Sequence, residues 1–356
     1  MVLLMANEHN APVLVTGGNG YVASWVVKYL LEDGQNVHAT VRDVSNKDKV
    51  GHLEGIAAEA PGTLTLFEAD LLDPGAFDEA MAGCRVVFHT ASPFVIAGVE
   101  DPEAELVRPA VEGTENVLAS VEHTASVERV VLTSSVVAVY GDAADMADAG
   151  LYAFDERHWN TTSSVDHQPY NYSKVCAERR AWELNDAQQR WQLVTINPGF
   201  VLGPSLTRAS ASTSLSTMKQ FGNGTLRLGA PELYFGVVDV RDVAEAHRRA
   251  GFLPKVSGRH IATSGTVSML EMGRMLTEAF GKRYPFPSRT LPKWLLWLVG
   301  PFQGLPRRFV ERNVGHRLDF DNGYIKRDLD MRFRTVRETV QSHFQQMLDD
   351  GLVRRR

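Results

Sequence analysis

The feature that most constrains the fold of this chain is a glycine-rich loop close to its start. An apolar run from Pro12 to Thr16 leads into the loop, and helical periodicity begins directly after it. A tight turn between a buried strand and a helix needs a residue without a Cβ, so Gly17 is predicted to make the turn and Gly20 to let a ligand approach the backbone. The amides of Tyr21 and Val22 open the helix, where they are predicted to hold a phosphate group.

The rest of the first 200 residues alternates short apolar runs with helical patterns. Apolar runs follow at 37–41, 64–67, 86–88, 130–133 and 193–196, and helical patterns lie at 48–60, 74–81, 102–121 and 169–185. Strands that are apolar throughout, with helices between them, are typical of a parallel sheet covered on both faces. The predicted fold class is therefore α/β, a Rossmann doubly wound parallel sheet, and the glycine loop favours binding of a dinucleotide.

After Pro198 this alternation breaks down. Residues 203–230 are rich in Gly, Ser and Thr, and we interpret them as a mobile flap around one helix. The domain boundaries predicted are a flexible tail at 1–10, a dinucleotide-binding domain at 11–200 with a return at about 236–250, and a smaller C-terminal α/β substrate-binding lobe at 201–235 and 251–350.

Composition excludes several classes of function. The net charge of −6 offers no basic surface of the kind that binds nucleic acid. Two cysteines, Cys84 and Cys176, lie far apart in sequence, which predicts no disulfide framework and fits a reducing cytoplasm. The most apolar later stretch, Leu291 to Phe302, is too short to span a bilayer. We predict a buried or pocket-covering helix, which is favoured over contact with a membrane surface, and the partners predicted include no membrane.

The strand tips after the glycine loop carry residues suited to the adenosine half of a cofactor. Arg42 stands at the tip of the second strand, where a guanidinium favours the 2′-phosphate of NADP over the free ribose hydroxyls of NAD. Asp43 follows it, and Lys47 and Lys49 can add positive charge. At the next strand end, Asp70 and Leu71 are predicted to bind adenine through a side chain and a backbone amide.

A phenol and an amine one helical turn apart form the candidate catalytic pair. Tyr170 and Lys174 lie in "QPYNYSKVCAE", and an ammonium at this spacing is expected to lower the phenol pKa from its usual value near 10. Tyr170 is then the proton donor to a carbonyl oxygen. Tyr172 is a rival to Tyr170, although residues two apart do not face each other on a helix.

A hydroxyl at the end of the strand 130–133 is expected to orient the substrate carbonyl. Spacing alone leaves Thr133, Ser134 and Ser135 open for this role. His89, at another strand end in "FHTAS", has no acidic side chain nearby in sequence to orient it, so a structural role is favoured over that of a base.

These residues together resemble the extended short-chain dehydrogenase/reductase family, in its dihydroflavonol reductase-like and aldehyde (carbonyl) reductase branch. The resemblance covers residues 12 to about 204 almost continuously, through "VTGGNGYVASWVV", "HATVRD", "FEADLLD", "GCRVVFHTASP", "PAVEGTENVL", "VVLTSSVVAVYG", "FDERHWN", "PYNYSKVCAE" and "INPGFVLGP". It implies a catalytic triad of Ser135, Tyr170 and Lys174. Two departures are Ala110, where many members of the family have an asparagine, and Tyr140, where plant dihydroflavonol reductases tend to have one.

The resemblance also implies further cofactor and substrate contacts. Arg42 and Lys49 would bind the 2′-phosphate, and Pro198 would lie beside the nicotinamide. The residues expected near the ribose are Thr90, Ala91 and Ser92. The candidate walls of the substrate pocket are Phe94, Tyr140, Phe200 and the segment 205–222.

The function predicted is an NADPH-dependent carbonyl reductase, or in reverse an alcohol dehydrogenase, for an apolar aldehyde or ketone. The partners expected are NADP(H) and this small-molecule substrate, with a homodimer as a possibility typical of the family. One alternative is an NAD-dependent epimerase or dehydratase, or a hydroxysteroid dehydrogenase, on the same fold. Another is a protein that binds NADP as a sensor without turnover.

Overall fold

The computed structural model describes residues 11–93, 99–208 and 212–354. The predicted tail at 1–10 and the predicted pocket residue Phe94 lie outside the described residues. The strands, numbered in chain order, are β1 (Val13–Thr16), β2 (Asn36–Val41), β3 (Thr63–Glu68), β4 (Val86–His89), β5 (Arg129–Thr133), β6 (Gln192–Pro198), β7 (Phe200–Leu202), β8 (Tyr234–Asp239), β9 (Gly258–Ala262) and β10 (Gly265–Ser268).

The helices are numbered in the same way. They are α1 (Tyr21–Glu32), α2 (Lys47–Glu59), α3 (Asp78–Met81), α4 (Arg108–His123), α5 (Ala144–Asp148), α6 (Pro169–Asp186), α7 (Thr213–Asn223), α8 (Val240–Phe252), α9 (Met269–Phe280), α10 (Lys293–Val299), α11 (Arg307–Asn313), α12 (Gly323–Asp328) and α13 (Val336–Asp349). A π-helical turn, Glu103–Val107, precedes α4, and 3₁₀ turns are formed by Val136–Ala138 and Gly300–Gln303.

Seven strands form a single sheet in the order β3-β2-β1-β4-β5-β6-β9. Neighbours from β3 to β6 are parallel, with Val13 of β1 opposite Val37 on one side and Val86 on the other. The strand order reverses at β1, because β2 and β3 are added on one side of it and β4 to β6 on the other. This confirms the doubly wound α/β fold, and in such folds ligands bind outside the carboxyl ends of the strands at the reversal point.

By contact, the chain divides into two compact units. The first comprises the described residues up to Ser134 together with Ser173–Ile196 and Ala244–His260, and the second comprises Ser135–Tyr172, Asn197–Val243 and the described residues from Ile261 onward. In the first unit the sheet is buried because its strands are apolar throughout. Leu14, Val87, Val130 and Leu193 of four adjacent strands share one core.

The second unit is built on a three-stranded sheet, β10-β8-β7, in which β8 is parallel to β7 and antiparallel to β10. Helices α7, α9 and α13 bury their apolar faces in one core that includes Met218, Phe221, Met272 and Phe344. The flap predicted at 203–230 therefore contains a helix whose apolar side is core. Residues 209–211 of that segment lie outside the described residues.

The contact units differ from the sequence-based boundaries in two places. Residues 135–172, predicted within the dinucleotide-binding domain, pack in the second unit. The return to the first unit, predicted at about 236–250, is made by Ala244–His260, because β8 pairs with β7 and β10 while most of α8 and the start of β9 pack in the first unit. Both differences arise from pairing between segments that are distant in sequence, which local periodicity does not encode.

Two local predictions were wrong: the helix at 74–81 is shorter than predicted, and part of the stretch 291–302 is exposed. The helix predicted over 74–81 is limited to α3, since Gly75 has φ +76° and the preceding residues form turns. The stretch 291–302 does contain a helix, α10, but Trp294 is 68% exposed and Phe302 is 86% exposed. In the described part of the chain, no helix has both the length and the apolar character that crossing a bilayer requires.

Candidate active site

The predicted cofactor residues of the first unit gather at one edge of the large sheet. The glycine loop follows β1, Arg42 follows β2, Asp70 follows β3 and Thr90 follows β4. Because the strands are parallel, all of these residues lie at the carboxyl edge, on both sides of the point where strand order reverses. Local patterns in the sequence located the strand ends, and the sheet order brings them together.

The glycine loop has the conformation that its sequence predicts. Gly17 adopts φ +65°, and a Cβ built there would lie 3.1 Å from the Cα of Ala91. A Cβ at Gly18 would lie 2.9 Å from the Cβ of Ala39 in β2. Gly20 then precedes α1 and provides no side-chain cap, and the N-terminus of a helix favours the binding of an anion. The loop thus fits the phosphates of a dinucleotide.

A buried hydroxyl that the sequence did not single out connects β1 with β4. Thr16 Oγ1 accepts hydrogen bonds from the backbone amides of Thr90 and Ala91, each at 3.1 Å, and lies 3.0 Å from Nδ1 of His89. Two accepted bonds use both lone pairs of the hydroxyl, so its proton is donated to the His89 ring. Burial, together with the charge of Lys174, lowers the pKa of His89 to about 3, which keeps the ring neutral. These contacts agree with a structural role for His89.

The charged side chains that follow β2, which are predicted to set the preference for NADP or NAD, differ in their partners. The Asp43 carboxylate accepts hydrogen bonds from the Ser45 amide and hydroxyl, at 2.9 and 2.6 Å, which lower the pKa of this acid. Lys47 pairs with Glu54 at 2.6 Å across one face of α2. Arg42 is exposed and makes no ion pair within the described residues. Lys49 is likewise exposed and makes no ion pair within the described residues, so Arg42 and Lys49 are the two predicted cations available for a phosphate at this strand end.

The two residues predicted to bind adenine follow β3 in a compact turn. The Asp70 carboxylate accepts a hydrogen bond from the Leu72 amide at 3.0 Å, and the Leu71 carbonyl accepts one from Asn116 Nδ2 at 2.8 Å. Leu71 packs over Gly113 of α4, where a Cβ would lie 3.2 Å from that of Leu71. The turn therefore has one fixed conformation, held by α4.

Lys174 reaches the carboxyl end of β4 in the first unit. Its ammonium donates a hydrogen bond of 2.7 Å to Ser92 Oγ, which joins the candidate catalytic lysine to one of the residues expected near the ribose. Burial lowers the pKa of Lys174 to about 8. The side chain also lines a cavity whose wall includes Ala91, Gly113 and Thr114. An amine at this position is well suited to bind vicinal hydroxyls.

The three adjacent hydroxyls at the end of β5 and directly after it have different partners. Thr133 Oγ1 lies 2.6 Å from Nε2 of His247, and Ser134 Oγ donates to the carboxylate of Glu178. Ser135 Oγ accepts from the Val137 amide at 3.3 Å and caps the 3₁₀ turn. Thr133 and Ser134 each have a side-chain partner for the hydroxyl, whereas within the described residues the O–H of Ser135 has no acceptor.

A buried ion pair, which was not predicted from the sequence, lies one helical turn beyond Lys174. The Glu178 carboxylate accepts from Arg259 Nε at 2.6 Å and from Thr195 Oγ1 at 3.3 Å, in addition to Ser134. Glu178 is 1% exposed and Arg259 is 7% exposed. This network ties α6 to the ends of β5 and β6 and to β9, all within the first unit.

Tyr170 is the second residue of α6, one turn before Lys174. Burial raises its pKa to about 12, so the expectation that the neighbouring ammonium lowers this pKa was wrong for the protein as it stands. The desolvation cost of a phenolate outweighs any attraction from an amine that burial itself makes less basic. Tyr170 is therefore a neutral phenol at physiological pH, which is the form that donates a proton.

The start of α6 is held by a polar cluster within the second unit. Gln168 has φ +55°, and its Nε2 donates to the Gly141 carbonyl and to Asp142 Oδ1, both at 2.6 Å. Asp142 also accepts from Asn313 at 2.7 Å and contacts His167 Nε2 at 2.7 Å. These bonds fix the residues that immediately precede Tyr170. The bond from Asn313 to Asp142 joins residues 171 positions apart, and the other bonds join the segment around Gly141 to that around Gln168, so local sequence reasoning missed them.

The remaining predicted residues of the second unit have definite surroundings. The Tyr140 ring stacks on Phe154 with centroids 5.6 Å apart and meets Phe320 edge-on at the same distance. Burial and the nearby acids Asp142 and Asp145 raise the Tyr140 pKa. The ring of Phe200 packs against that of Phe235, with centroids 5.2 Å apart. Both predicted walls thus belong partly to the core of this unit.

A further residue missed from sequence supports the serine. Pro198 ends β6, and the residue before it, Asn197, is fully buried. Asn197 Nδ2 donates to the Ser135 carbonyl at 3.2 Å. The bond holds the backbone of Ser135 in place, and a polar residue at the end of a buried strand was the signal available for it.

Comparison with known proteins identifies the family. The sequence model of the NAD dependent epimerase/dehydratase family matches residues 13–259. The chain belongs to this family. It is 41% identical over 285 residues to a cinnamoyl-CoA reductase of Medicago truncatula, across 79% of this chain and 82% of that protein. It is 35% identical over 352 residues to tetraketide alpha-pyrone reductase 1 of Arabidopsis thaliana, across 97% of this chain and 98% of that protein.

A solved structure agrees with these sequence relatives. Yeast methylglyoxal/isovaleraldehyde reductase Gre2, complexed with NADPH, matches with a TM-score of 0.75 at 28% identity, across 96% of this chain and 99% of that one. The predicted membership of the extended short-chain dehydrogenases/reductases, in the dihydroflavonol reductase-like branch, is confirmed. The chain is an NAD(P)-dependent oxidoreductase of the reductase type.

Proposed function

We propose that this protein is an NADPH-dependent carbonyl reductase that acts on an apolar aldehyde or ketone. The observation that carries the proposal is the hydrogen bond of 2.7 Å from Lys174 to Ser92, at the sheet edge where dinucleotides bind. Tyr170 stands one turn earlier on the same helix. The helix thus carries a proton donor one turn before an amine that already bonds to a residue of the cofactor region.

The residues of the chain have distinct roles in this proposal. When bound, the nicotinamide supplies a hydride to the carbonyl carbon. Tyr170 transfers its phenolic proton to the carbonyl oxygen, so that aldehyde or ketone becomes alcohol and the phenol is left as phenolate. Ser135 donates its O–H to the same oxygen and orients it. Lys174 leaves Ser92 for the ribose hydroxyls and stabilises the phenolate through its positive charge.

Several observations support Ser135 as the orienting hydroxyl. Thr133 and Ser134 are engaged with His247 and Glu178, whereas the O–H of Ser135 has no such acceptor within the described residues. The Asn197 amide and the capped 3₁₀ turn fix its backbone. A rigid hydroxyl with a proton to donate costs little reorganisation when a carbonyl binds.

The preference for NADPH rests on Arg42. The nearby Asp43 is held by Ser45, so the carboxylate that would bind free ribose hydroxyls is already engaged. The related yeast reductase Gre2 was solved as a complex with NADPH. An arginine at this tip can make two parallel hydrogen bonds to a phosphate, which an NAD site does not need.

The proposal is tested by replacing Tyr170 with phenylalanine and following NADPH oxidation with a panel of apolar aldehydes and ketones. We expect kcat/KM to fall by about 10²-fold or more, because general acid catalysis contributes roughly that factor. Tyr172→Phe is the matched control two residues away, and it should retain near wild-type turnover. Near wild-type reduction by Tyr170→Phe would contradict the assignment.

The same panel separates the alternatives. Purified protein that carries stoichiometric NAD, with no net consumption of NADPH, would favour an epimerase or dehydratase. NADPH binding without turnover of any carbonyl would favour a sensor. Net NADPH oxidation that depends on an added carbonyl supports the reductase over both.

Cofactor choice is tested separately with Arg42→Glu. We expect the KM for NADPH to rise by roughly tenfold to a hundredfold, because a charge-assisted pair worth about 1.5–3 kcal/mol is lost and a like charge is introduced. The KM for NADH should change little. Lys47→Ala is the control, since that ammonium is already paired with Glu54. Equal loss with both cofactors would contradict the role of Arg42.

A further inference from the structure

An exposed apolar surface lies in the second unit, on α10 and the 3₁₀ turn that follows it. We define the Trp294 surface by Trp294, Leu298, Val299 and Phe302, of which Leu298 is 52% and Val299 40% exposed. Trp294 and Leu298 lie one turn apart on α10, and Phe302 follows in the next turn. Several large side chains exposed together mark a contact surface, whereas single exposed apolar residues are ordinary.

The Trp294 surface is held rigidly from its inner side. Leu296 of α10 is buried against Val310 and Val314 of the segment around α11. The Leu291 amide donates to the Ala230 carbonyl at 2.9 Å, immediately before the helix. The exposed side chains are thus presented by a packed helix, since the opposite side of α10 already has its own core.

The segment that carries this surface is rich in positive charge. The stretch 279–310 contains six lysines and arginines and no aspartate or glutamate, in a protein whose net charge is −6. Arg307 lies over the Trp297 ring at 4.2 Å, and Arg308 is exposed beside it. The first acid after the stretch, Glu311, accepts the Trp297 indole N–H at 2.7 Å. Aromatic and aliphatic side chains therefore share this surface with unneutralised cations.

We propose that the Trp294 surface docks on a membrane that contains anionic lipid. Tryptophan, phenylalanine and leucine insert at the boundary of headgroup and acyl chain, while arginine and lysine attract anionic headgroups. A second copy of the chain would place the same cations face to face in a symmetric contact, and that repulsion disfavours a dimer here. The inference does not depend on the proposed reductase activity.

Vesicle co-sedimentation and tryptophan fluorescence test the proposal directly. We expect the full-length protein to bind vesicles of phosphatidylcholine with phosphatidylserine, with a blue shift of its emission. It should not bind vesicles of phosphatidylcholine alone, and added salt should release it. The double variant Trp294→Ser/Phe302→Ser should lower the partition coefficient by at least roughly tenfold, and Arg308→Glu by about fivefold or more.

Matched variants outside the surface serve as controls. Tyr152→Ser removes an aromatic side chain that is 98% exposed, and Arg332→Glu reverses an exposed charge outside the stretch 279–310. Neither should change vesicle binding, and all variants should keep the wild-type circular dichroism spectrum. Absence of binding to the anionic vesicles would overturn the proposal, as would equal binding by the double variant. Concentration-dependent dimerisation lost in Trp294→Ser, without vesicle binding, would assign the surface to a second copy.

Discussion

Replacement of Glu178 by glutamine is expected to destabilise the first unit strongly, although the change is nearly isosteric. The carboxylate pairs with Arg259 at 2.6 Å in a site where both side chains are almost fully buried. Removing one partner leaves the other charge buried without compensation, and such losses cost about 3–5 kcal/mol. The amide oxygen of glutamine can still accept from Arg259, and its NH2 group can donate to Ser134 Oγ, which is able to accept. We therefore expect a loss of about 3 kcal/mol in the free energy of unfolding, at the lower end of that range.

Urea denaturation followed by circular dichroism measures this loss. With a slope of about 3 kcal/mol/M, the expected change lowers the midpoint by roughly 1 M. Glu183→Gln on the same helix is the matched control, because its contact with Arg180 at 3.1 Å is exposed and worth about 1 kcal/mol or less. A Glu178→Leu/Arg259→Met double variant should recover much of the stability, since no charge remains buried. Equal midpoints for Glu178→Gln and Glu183→Gln would refute the reasoning.

Two further predictions concern a titration and a backbone conformation. Because burial lowers the pKa of Lys174 to about 8, the ammonium is lost as pH rises through 8, and kcat/KM for carbonyl reduction should fall there. A pH–rate profile that stays flat to pH 10 would contradict the role of Lys174. The unfolded chain binds more protons than the folded chain between about pH 8 and 10.5, so the free energy of unfolding should rise with pH across that window. Gly17→Ala should lower the free energy of unfolding by about 1–3 kcal/mol and weaken NADPH binding, because the new Cβ contacts Ala91 and the residue must keep a φ of +65°. Gly34→Ala, at φ +79° with no atom within 4 Å, carries only the backbone cost, and equal unfolding midpoints for these two glycine variants would exclude the steric contact.

Much of the fold could be predicted from local pattern. The apolar runs at 130–133 and 193–196 became β5 and β6, and the helical periodicity around Tyr170 became α6. The loop glycines were assigned to a tight turn and to the close approach of a ligand, and Gly17 has the positive φ and the close neighbour that only a glycine tolerates. These features are set by residues within a few positions of one another, so a single sequence contains them.

The tertiary structure decided what the local pattern left open. Three adjacent hydroxyls after β5 were equivalent in sequence, and only their partners His247 and Glu178 distinguish Ser135 from Thr133 and Ser134. The partner of Glu178, Arg259, is 81 residues away. The Tyr170 pKa rises because of burial, which helical spacing from Lys174 does not report.

The sequence by itself determined a parallel α/β sheet, a glycine loop for a dinucleotide, and the spacing of Tyr170 and Lys174. Only the tertiary structure showed that Lys174 reaches Ser92 and that Trp294 is exposed where an apolar run predicted burial. The physical reason is that periodicity records which side of an element is apolar. Which side is covered, and which polar groups meet there, depends on segments far apart in the chain.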